Sequence, residues 1–273
     1  MTTYTHVQGS PLVNALSDTS ALFGRHLRHL VRMPEKLLSV TLMPVAYVAL
    51  FGVLFGSAMQ VPGGNYQDYL MAGILAQTML TNVSATALGV ATDLSNGLVD
   101  RFRSLPMSHG AVLLARTGSN MVLATLSIVV MSLVGLLIGW RLDNGAGPAL
   151  AGFGLLLLLG FAMSWLGALL GLVLRDVEAI NSVAFLIVLP LTFLSNAFIP
   201  IEGLPAWLRA VCDWNPLSAV VTACRQLFGN VTGPLTDSFP SRHPLAMSLV
   251  LTGVLLLVVV PLAVRAYRRA VTR

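Results

Sequence analysis

Proton transfer, nucleophilic attack and metal binding need histidines, carboxylates or thiolates gathered at one place. This 273-residue sequence offers five histidines, two cysteines and eleven carboxylates. His26 and His29 stand three apart, but Arg25, Arg28 and Arg32 flank them, and that charge repels a cation more than it binds one. His6, His109 and His243 are scattered, and Asp176 and Glu178 have no histidine beside them. Neither HExxH nor GxSxG occurs. Cys212 and Cys224 are too few for a disulfide framework or a zinc site. They could pair with each other in an oxidising exterior, or serve as small apolar fillers. The single lysine, Lys36, follows Pro34-Glu35, so no GxxxxGK[ST] phosphate loop exists in the chain. These residues do not assemble into catalytic chemistry, and no metal or cofactor site is expected.

The elements that carry them explain why. Hydrophobic residues make up 56% of the chain and charged residues 10%, with a mean hydropathy of +0.81. Soluble domains use about 25% charged residues, so this composition cannot cover a globule with polar surface. It is too apolar to stay disordered in water. An all-helical integral membrane protein is expected. A spanning helix needs about 20 apolar residues, and six such runs occur: Leu37–Gly56, Tyr69–Thr92, Thr117–Trp140, Ala149–Leu174, Val183–Pro200 and Leu245–Ala266. None contains Asp, Glu or Lys, and the only arginine is Arg265 at the end of the sixth. A charge at mid-membrane costs about 2.5–3.5 kcal/mol on insertion scales, so this is the expected composition of spans.

Charge then orients the spans. With both termini in the cytoplasm, twelve of the sixteen cations fall inside, and only Arg141, Arg209, Arg225 and Arg242 fall outside. The positive-inside rule selects that orientation in a plasma membrane, and it accounts for the basic balance without nucleic acid. No apolar run precedes Leu37, so no signal peptide is expected.

Three segments are not spans. Within the cytoplasmic residues 1–36, Thr19–Glu35 reads as a helix with Leu22, Phe23, Leu27, Leu30 and Val31 on one face. Arg25, Arg28 and Arg32 lie on the other face, an arrangement that suits a helix in the lipid headgroup plane; a solvated basic segment is the alternative. The loop of residues 93–110 contains Leu98, Val99, Phe102 and Leu105 at the spacing of one short amphipathic helix ending before Pro106. It is either a handle for a partner protein or an ordinary turn. Outside, residues 201–244 are long yet apolar. Pro205 opens one short helix containing Trp207, Asn215-Pro216 breaks the chain, and Leu217–Phe228 supplies a second, which suggests a re-entrant hairpin. Asn230-Val231-Thr232 matches a glycosylation sequon, a triplet that often arises by chance. A basic tail, residues 267–273, closes the chain.

Inside the spans, Gly52/Gly56, Gly135/Gly139 and Gly167/Gly171 have GxxxG spacing, which supports close helix packing. Thr78, Asn82, Thr86 and Gly89 form a polar stripe that either bonds to a neighbouring helix or lines an aqueous path. Pro44, Pro190 and Pro261 are candidate kinks. Ion-coupled carriers bury carboxylates near the midplane, and no carboxylate lies in these spans. A permease moved by another protein fits better, because it requires cytoplasmic contact surfaces and an apolar path but no nucleotide site.

Gly97-Leu-Val-Asp-Arg-Phe-Arg-Ser-Leu-Pro-Met-Ser-His109, followed by Ala111–Arg116, resembles the loop of ABC-2 type permeases of the daunorubicin-resistance and polysaccharide-export group. So do Leu189–Pro200, Leu204–Leu208 and Asn215-Pro216-Leu217 with Arg225. The resemblance runs from the amphipathic helix to the basic tail. His109 replaces a frequent arginine, and Asn196 a common glycine. It implies two six-span permease chains, a homodimer, each docked on a separate ATPase that carries ATP and Mg. Gly97, Asp100, Arg101, Phe102, Arg103 and Pro106 would belong to the coupling helix, and Arg25, Arg28 and Arg32 to an interfacial helix that adds a contact. Phe193, Phe198, Pro200, Pro205 and Trp207 would form the outer gate. An uncharged path suits a lipophilic or amphipathic drug, antibiotic or lipid; lipid-linked polysaccharide is the alternative cargo.

Overall fold

A computed structural model of the chain describes residues 42, 45–50, 65–95, 109–174, 176–198, 200–201, 203–230 and 238–272. Every regular element among them is helical. Residues 45–50 are helical, and nine further helices follow in order: α1 (Tyr66–Leu80), α2 (Asn82–Ser95), α3 (His109–Leu137), α4 (Ala146–Leu174), α5 (Val177–Phe193), α6 (Ala206–Asp213), α7 (Pro216–Phe228), α8 (Phe239–Arg242) and α9 (Pro244–Thr272). Four stretches among the described residues are long and apolar enough to cross a membrane: Tyr66–Ser95, Arg116–Leu137, Ala146–Leu174 and Pro244–Arg269. Val177–Phe193 is apolar but shorter. The expected first span lies mostly outside the described residues.

The central element is α4, which packs against α1, α2, α3, α5, α7 and α9. Its buried residues fall on every side of the helix, as a helix surrounded by others requires. Glycines give it close contacts. A Cβ on Gly167 would strike the Val83 carbonyl, and one on Gly171 the Ala87 carbonyl. The Gly167/Gly171 pair therefore seats α2 within this chain. Gly152 receives the Phe228 ring of α7, and Gly160 faces Met79 and Asn82. With little hydrophobic drive between helices in lipid, such close approach is what van der Waals association needs.

Two elements differ from the runs read in the sequence. The second run is continuous from Tyr66 to Ser95 but turns at Thr81, dividing α1 from α2. Thr78 Oγ1 donates to Ile74 O (2.8 Å) and Thr81 Oγ1 to Thr78 O (2.7 Å). Hydroxyl back-bonding of this kind bends helices. The fifth run begins and ends earlier in the chain than the stretch read in the sequence. Asp176 caps α5, its Oδ2 accepting from Ala179 N at 2.8 Å, and the helix ends at Phe193, just past Pro190. Proline contributes no backbone donor and clashes with the preceding turn, so the ladder loosens there. Residues 194–198 leave the helix as irregular chain.

Candidate functional site

Irregular backbone inside an apolar bundle must find donors for its carbonyls. Here α1 and α7 supply them. Asn215 caps α7, its side-chain oxygen accepting from Leu217 N at 2.8 Å. Its Nδ2 donates to Leu191 O (2.9 Å) and Leu194 O (2.6 Å), closing the end of α5. Ser218 Oγ accepts from Asn196 N (3.1 Å), and Asn196 Nδ2 donates to Thr222 Oγ1 (2.7 Å). Tyr69 OH donates to Asn196 O (2.7 Å) and Tyr66 OH to Phe198 O (3.4 Å).

Arg225 completes this knot. Its side chain is 5% exposed. Nε and Nη2 donate to Tyr69 O at 3.1 and 2.9 Å, and Nη2 also reaches Asn196 O (2.9 Å) and Ala197 O (3.2 Å). The guanidinium carbon lies 3.5 Å from the centre of the Tyr69 ring. A planar fork with five donors can serve several carbonyls at once, which a lysine cannot. Gly73 leaves room for the Ala197 carbonyl beside α1, where a Cβ would strike it.

The connection between α3 and α4 seals the C-terminus of α7. Trp140 Nε1 donates to Asn230 Oδ1 (2.7 Å), and Asn230 Nδ2 to Arg141 O (3.0 Å). Asp143 N donates to Phe228 O (2.9 Å) and Asn144 Nδ2 to Gln226 O (2.7 Å). Gly229 ends α7 with φ +84°, a conformation glycine adopts without steric cost. Asn230, the asparagine of the sequon, is buried in this clamp. Cys212 and Cys224 are both free and buried, and Cys224 Sγ faces Gly152 O at 3.6 Å.

Beneath the knot lies a cavity of about 290 Å³. Phe198 and Tyr47 border it, α1 and α2 contribute Ile74, Gln77, Thr78, Met79, Thr81, Asn82 and Ala85, and α3 contributes Asn120, Leu123, Ala124 and Ser127. None of the described lining residues is charged. Thr81 and Ala85 are exposed, so the cavity opens at the turn between α1 and α2. The polar stripe of the sequence is thus divided in use. Thr86 Oγ1 accepts from Asn120 Nδ2 (2.5 Å), joining α2 to α3, while Thr78 and Asn82 border the cavity.

At the opposite end, Arg116 Nη1 pairs with Asp93 Oδ2 at 3.2 Å, joining the end of α2 to the start of the apolar part of α3. The guanidinium lies against Gly89, so closely that a Cβ there would collide with it. This ion pair closes the base of the loop between α2 and α3. Gly97, Asp100, Arg101, Phe102, Arg103 and Pro106 in that loop lie outside the described residues, as do Arg25, Arg28 and Arg32.

The five residues read as an outer gate differ in their surroundings. Phe193 and Trp207 are 72% and 70% exposed, whereas Phe198 packs on the main core and borders the cavity. Pro205 caps α6 and is exposed, and Pro200 is half-buried. In the sequence, Arg225 stands among the exterior cations and among the residues that resemble ABC-2 permeases, but with no role assigned to it, and Tyr69 is read only as the start of a span. A lone arginine in the otherwise uncharged run Leu217–Phe228 was the available signal.

Residues 17–228 of this helical bundle match the ABC-2 type transporter family. The chain belongs to that family, whose members are transmembrane subunits. Among its relatives, the daunorubicin resistance ABC transporter permease protein DrrB1 of Streptomyces coeruleorubidus is 29% identical over 254 residues, covering 93% of this chain and 87% of the relative. The probable doxorubicin resistance permease DrrC of Mycobacterium tuberculosis is 23% identical over 269 residues, 96% and 90% of the two chains. A putative transport permease, ycf38 of Cyanophora paradoxa, is 27% identical over 219 residues, 79% and 75%.

Proposed function

We propose that this chain is the membrane subunit of an ATP-driven exporter that moves a lipophilic or amphipathic drug, antibiotic or lipid out across the plasma membrane. The observation that carries this reading is the full-length similarity to permeases named for daunorubicin and doxorubicin resistance. In this reading a separate ATPase subunit holds ATP and Mg, consistent with a sequence in which no GxxxxGK[ST] loop occurs.

Six spans with both termini cytoplasmic place residues 93–110 on the ATPase side. There Gly97–Pro106 forms the coupling helix, with Arg101 and Arg103 facing acidic groups of the ATPase. The Asp93–Arg116 pair supports this role, since it holds together the two helices that the loop joins. The interfacial helix bearing Arg25, Arg28 and Arg32 adds a second contact and transmits closure to the first span. A second, identical permease chain completes the path. At the outer end α6 and α7 form the re-entrant hairpin, supported by the burial of nine of the thirteen residues of α7. Phe193, Phe198, Pro200, Pro205 and Trp207 line the exit.

Affinity purification of the chain from native membranes in mild detergent tests this reading. A stoichiometric P-loop ATPase is expected, lost when Arg101→Glu and Arg103→Glu are combined. A chain that purifies alone, under conditions that keep other membrane complexes intact, would overturn it.

A further inference from the structure

The last helix, α9, changes character along one of its faces. At about 100° per residue, Val254, Val258 and Leu262 share that face with Arg265 and Arg269, and Arg268 flanks it. The three apolar residues and the three arginines are all exposed. The opposite side is the buried one, where Ala263 and Tyr267 belong to a core cluster with Val90 of α2, Leu113 of α3 and Trp165 of α4. Arg265 and Arg269 therefore point away from the base of the loop between α2 and α3. No carboxylate occurs in α9. Depth follows from length. A hydrocarbon core of about 30 Å takes about 20 helical residues. Counted from Pro244, where α9 begins, that length ends near Ala263. The apolar part of the face lies against acyl chains, and the arginines stand at the level of the lipid headgroups.

We propose that Arg265, Arg268 and Arg269 bind the headgroup phosphate of an anionic phospholipid whose acyl chains lie along Val254, Val258 and Leu262. A zwitterionic headgroup brings its own cation to the phosphate, whereas an anionic one brings charge that the arginines can neutralise. Guanidinium forks suit phosphate oxygens in particular. Two other occupants fit this face less well. A second copy of the chain, crossing the membrane in the same sense and paired about a twofold axis, would set arginines of equal depth against each other. An ATPase docked on residues 93–110 would sit on the opposite side of α9 from Arg265 and Arg269. The inference goes beyond the exporter reading and requires neither ATP nor cargo.

The test uses the full chain in phosphatidylcholine nanodiscs, with a bimane fluorophore on a Leu262→Cys variant. Cys212 and Cys224 are buried, so the label goes to the new thiol. Brominated lipids quench such a label on contact. Brominated phosphatidylglycerol is expected to quench half-maximally at about a tenfold lower mole fraction than brominated phosphatidylcholine. Combining Arg265→Gln, Arg268→Gln and Arg269→Gln should bring the two lipids to parity, whereas the three corresponding Arg→Lys changes, which keep the charge, should retain most of the preference. A label on a Val250→Cys variant, about 18 Å along the same face toward the other leaflet, should report no such dependence on these arginines. Thermal unfolding of each variant establishes that it is folded. Equal quenching by the two lipids in the otherwise unaltered chain would overturn the inference. So would a preference that survives in the glutamine variant, and if that variant also lost its co-purifying ATPase, the arginines would belong to a protein contact instead. Each of these results leaves an ATPase bound to the unaltered chain, so a failure here is distinct from a failure of the exporter reading.

Discussion

Replacing Arg225 should undo the end of the bundle where α5 stops. Arg225→Ala removes the guanidinium as a donor to three carbonyls, those of Tyr69, Asn196 and Ala197, of which Asn196 O keeps the Tyr69 hydroxyl. Leaving a buried acceptor unsatisfied costs about 1–3 kcal/mol, and the lost stacking on Tyr69 adds about 1–2 kcal/mol. Some of that is offset because a charged guanidinium no longer has to be desolvated. The net loss is about 3 kcal/mol or more, concentrated where residues 194–198 leave α5. Arg225→Lys keeps the charge but not the fork. An ammonium cannot place two donors on Tyr69 O while reaching Asn196 and Ala197, so about half the loss should remain. Tyr69→Phe deletes only the hydroxyl bond to Asn196 O, worth about 1 kcal/mol. Thermal unfolding of the purified chain in one detergent, followed by the monodisperse fraction, should rank the variants as unaltered, Tyr69→Phe, Arg225→Lys, Arg225→Ala. An Arg225→Ala chain with an unaltered midpoint would refute the reasoning, because it would mean that those carbonyls need no donor.

Gly167→Ala and Gly171→Ala should each destabilise the bundle by about 1–3 kcal/mol through collision with backbone of α2. Gly253→Ala, where a Cβ meets nothing, should change the unfolding midpoint little. Gly89→Ala should displace the Arg116 guanidinium from Asp93 and lower substrate-stimulated ATPase activity of the complex, as Asp93→Asn does, while leaving basal hydrolysis intact; equal stimulation in both variants and the unaltered chain would show that the pair is not in the coupling route. Burial pushes the Cys224 thiol well above the usual thiol range, which disfavours the reactive thiolate. A water-soluble maleimide should leave it unlabelled in the folded chain and label it after denaturation, and rapid labelling of the folded chain at neutral pH would contradict its burial.

Much of the architecture is legible in the sequence because it rests on composition and on local chemistry. Long uncharged runs announce helices that cross a membrane, and Asn215-Pro216 announces the start of α7, since a capping side chain and a fixed φ act within three residues. The turn at Thr81 is harder to read. Threonine back-bonding is one of several things a threonine in a helix can do, and the sequence does not say which. The Gly167/Gly171 spacing tells of close approach but not that the partner is α2 of the same chain. Arg225 shows the same limit at longer range. Its burial depends on carbonyls of Asn196 and Ala197, nearly thirty residues upstream, that are exposed only because α5 ends early. A charge count assigned it to the exterior side but could not reveal that it is the tie holding that side together. Of the proposed outer gate, Phe198 borders the cavity while Phe193 and Trp207 face outward, because aromatic residues close in sequence diverge once the intervening chain leaves the helix.

The central claim is that cytoplasmic ATP hydrolysis by a partner moves cargo through this chain by way of residues 93–110. The most direct test is ATP-dependent uptake of daunorubicin into inside-out vesicles containing the chain and the ATPase that purifies with it. Uptake that requires hydrolysable ATP, and that disappears with Arg101→Glu plus Arg103→Glu while the isolated ATPase still hydrolyses ATP, is the predicted result. Uptake that persists without ATP and follows an imposed ion gradient instead would contradict the account.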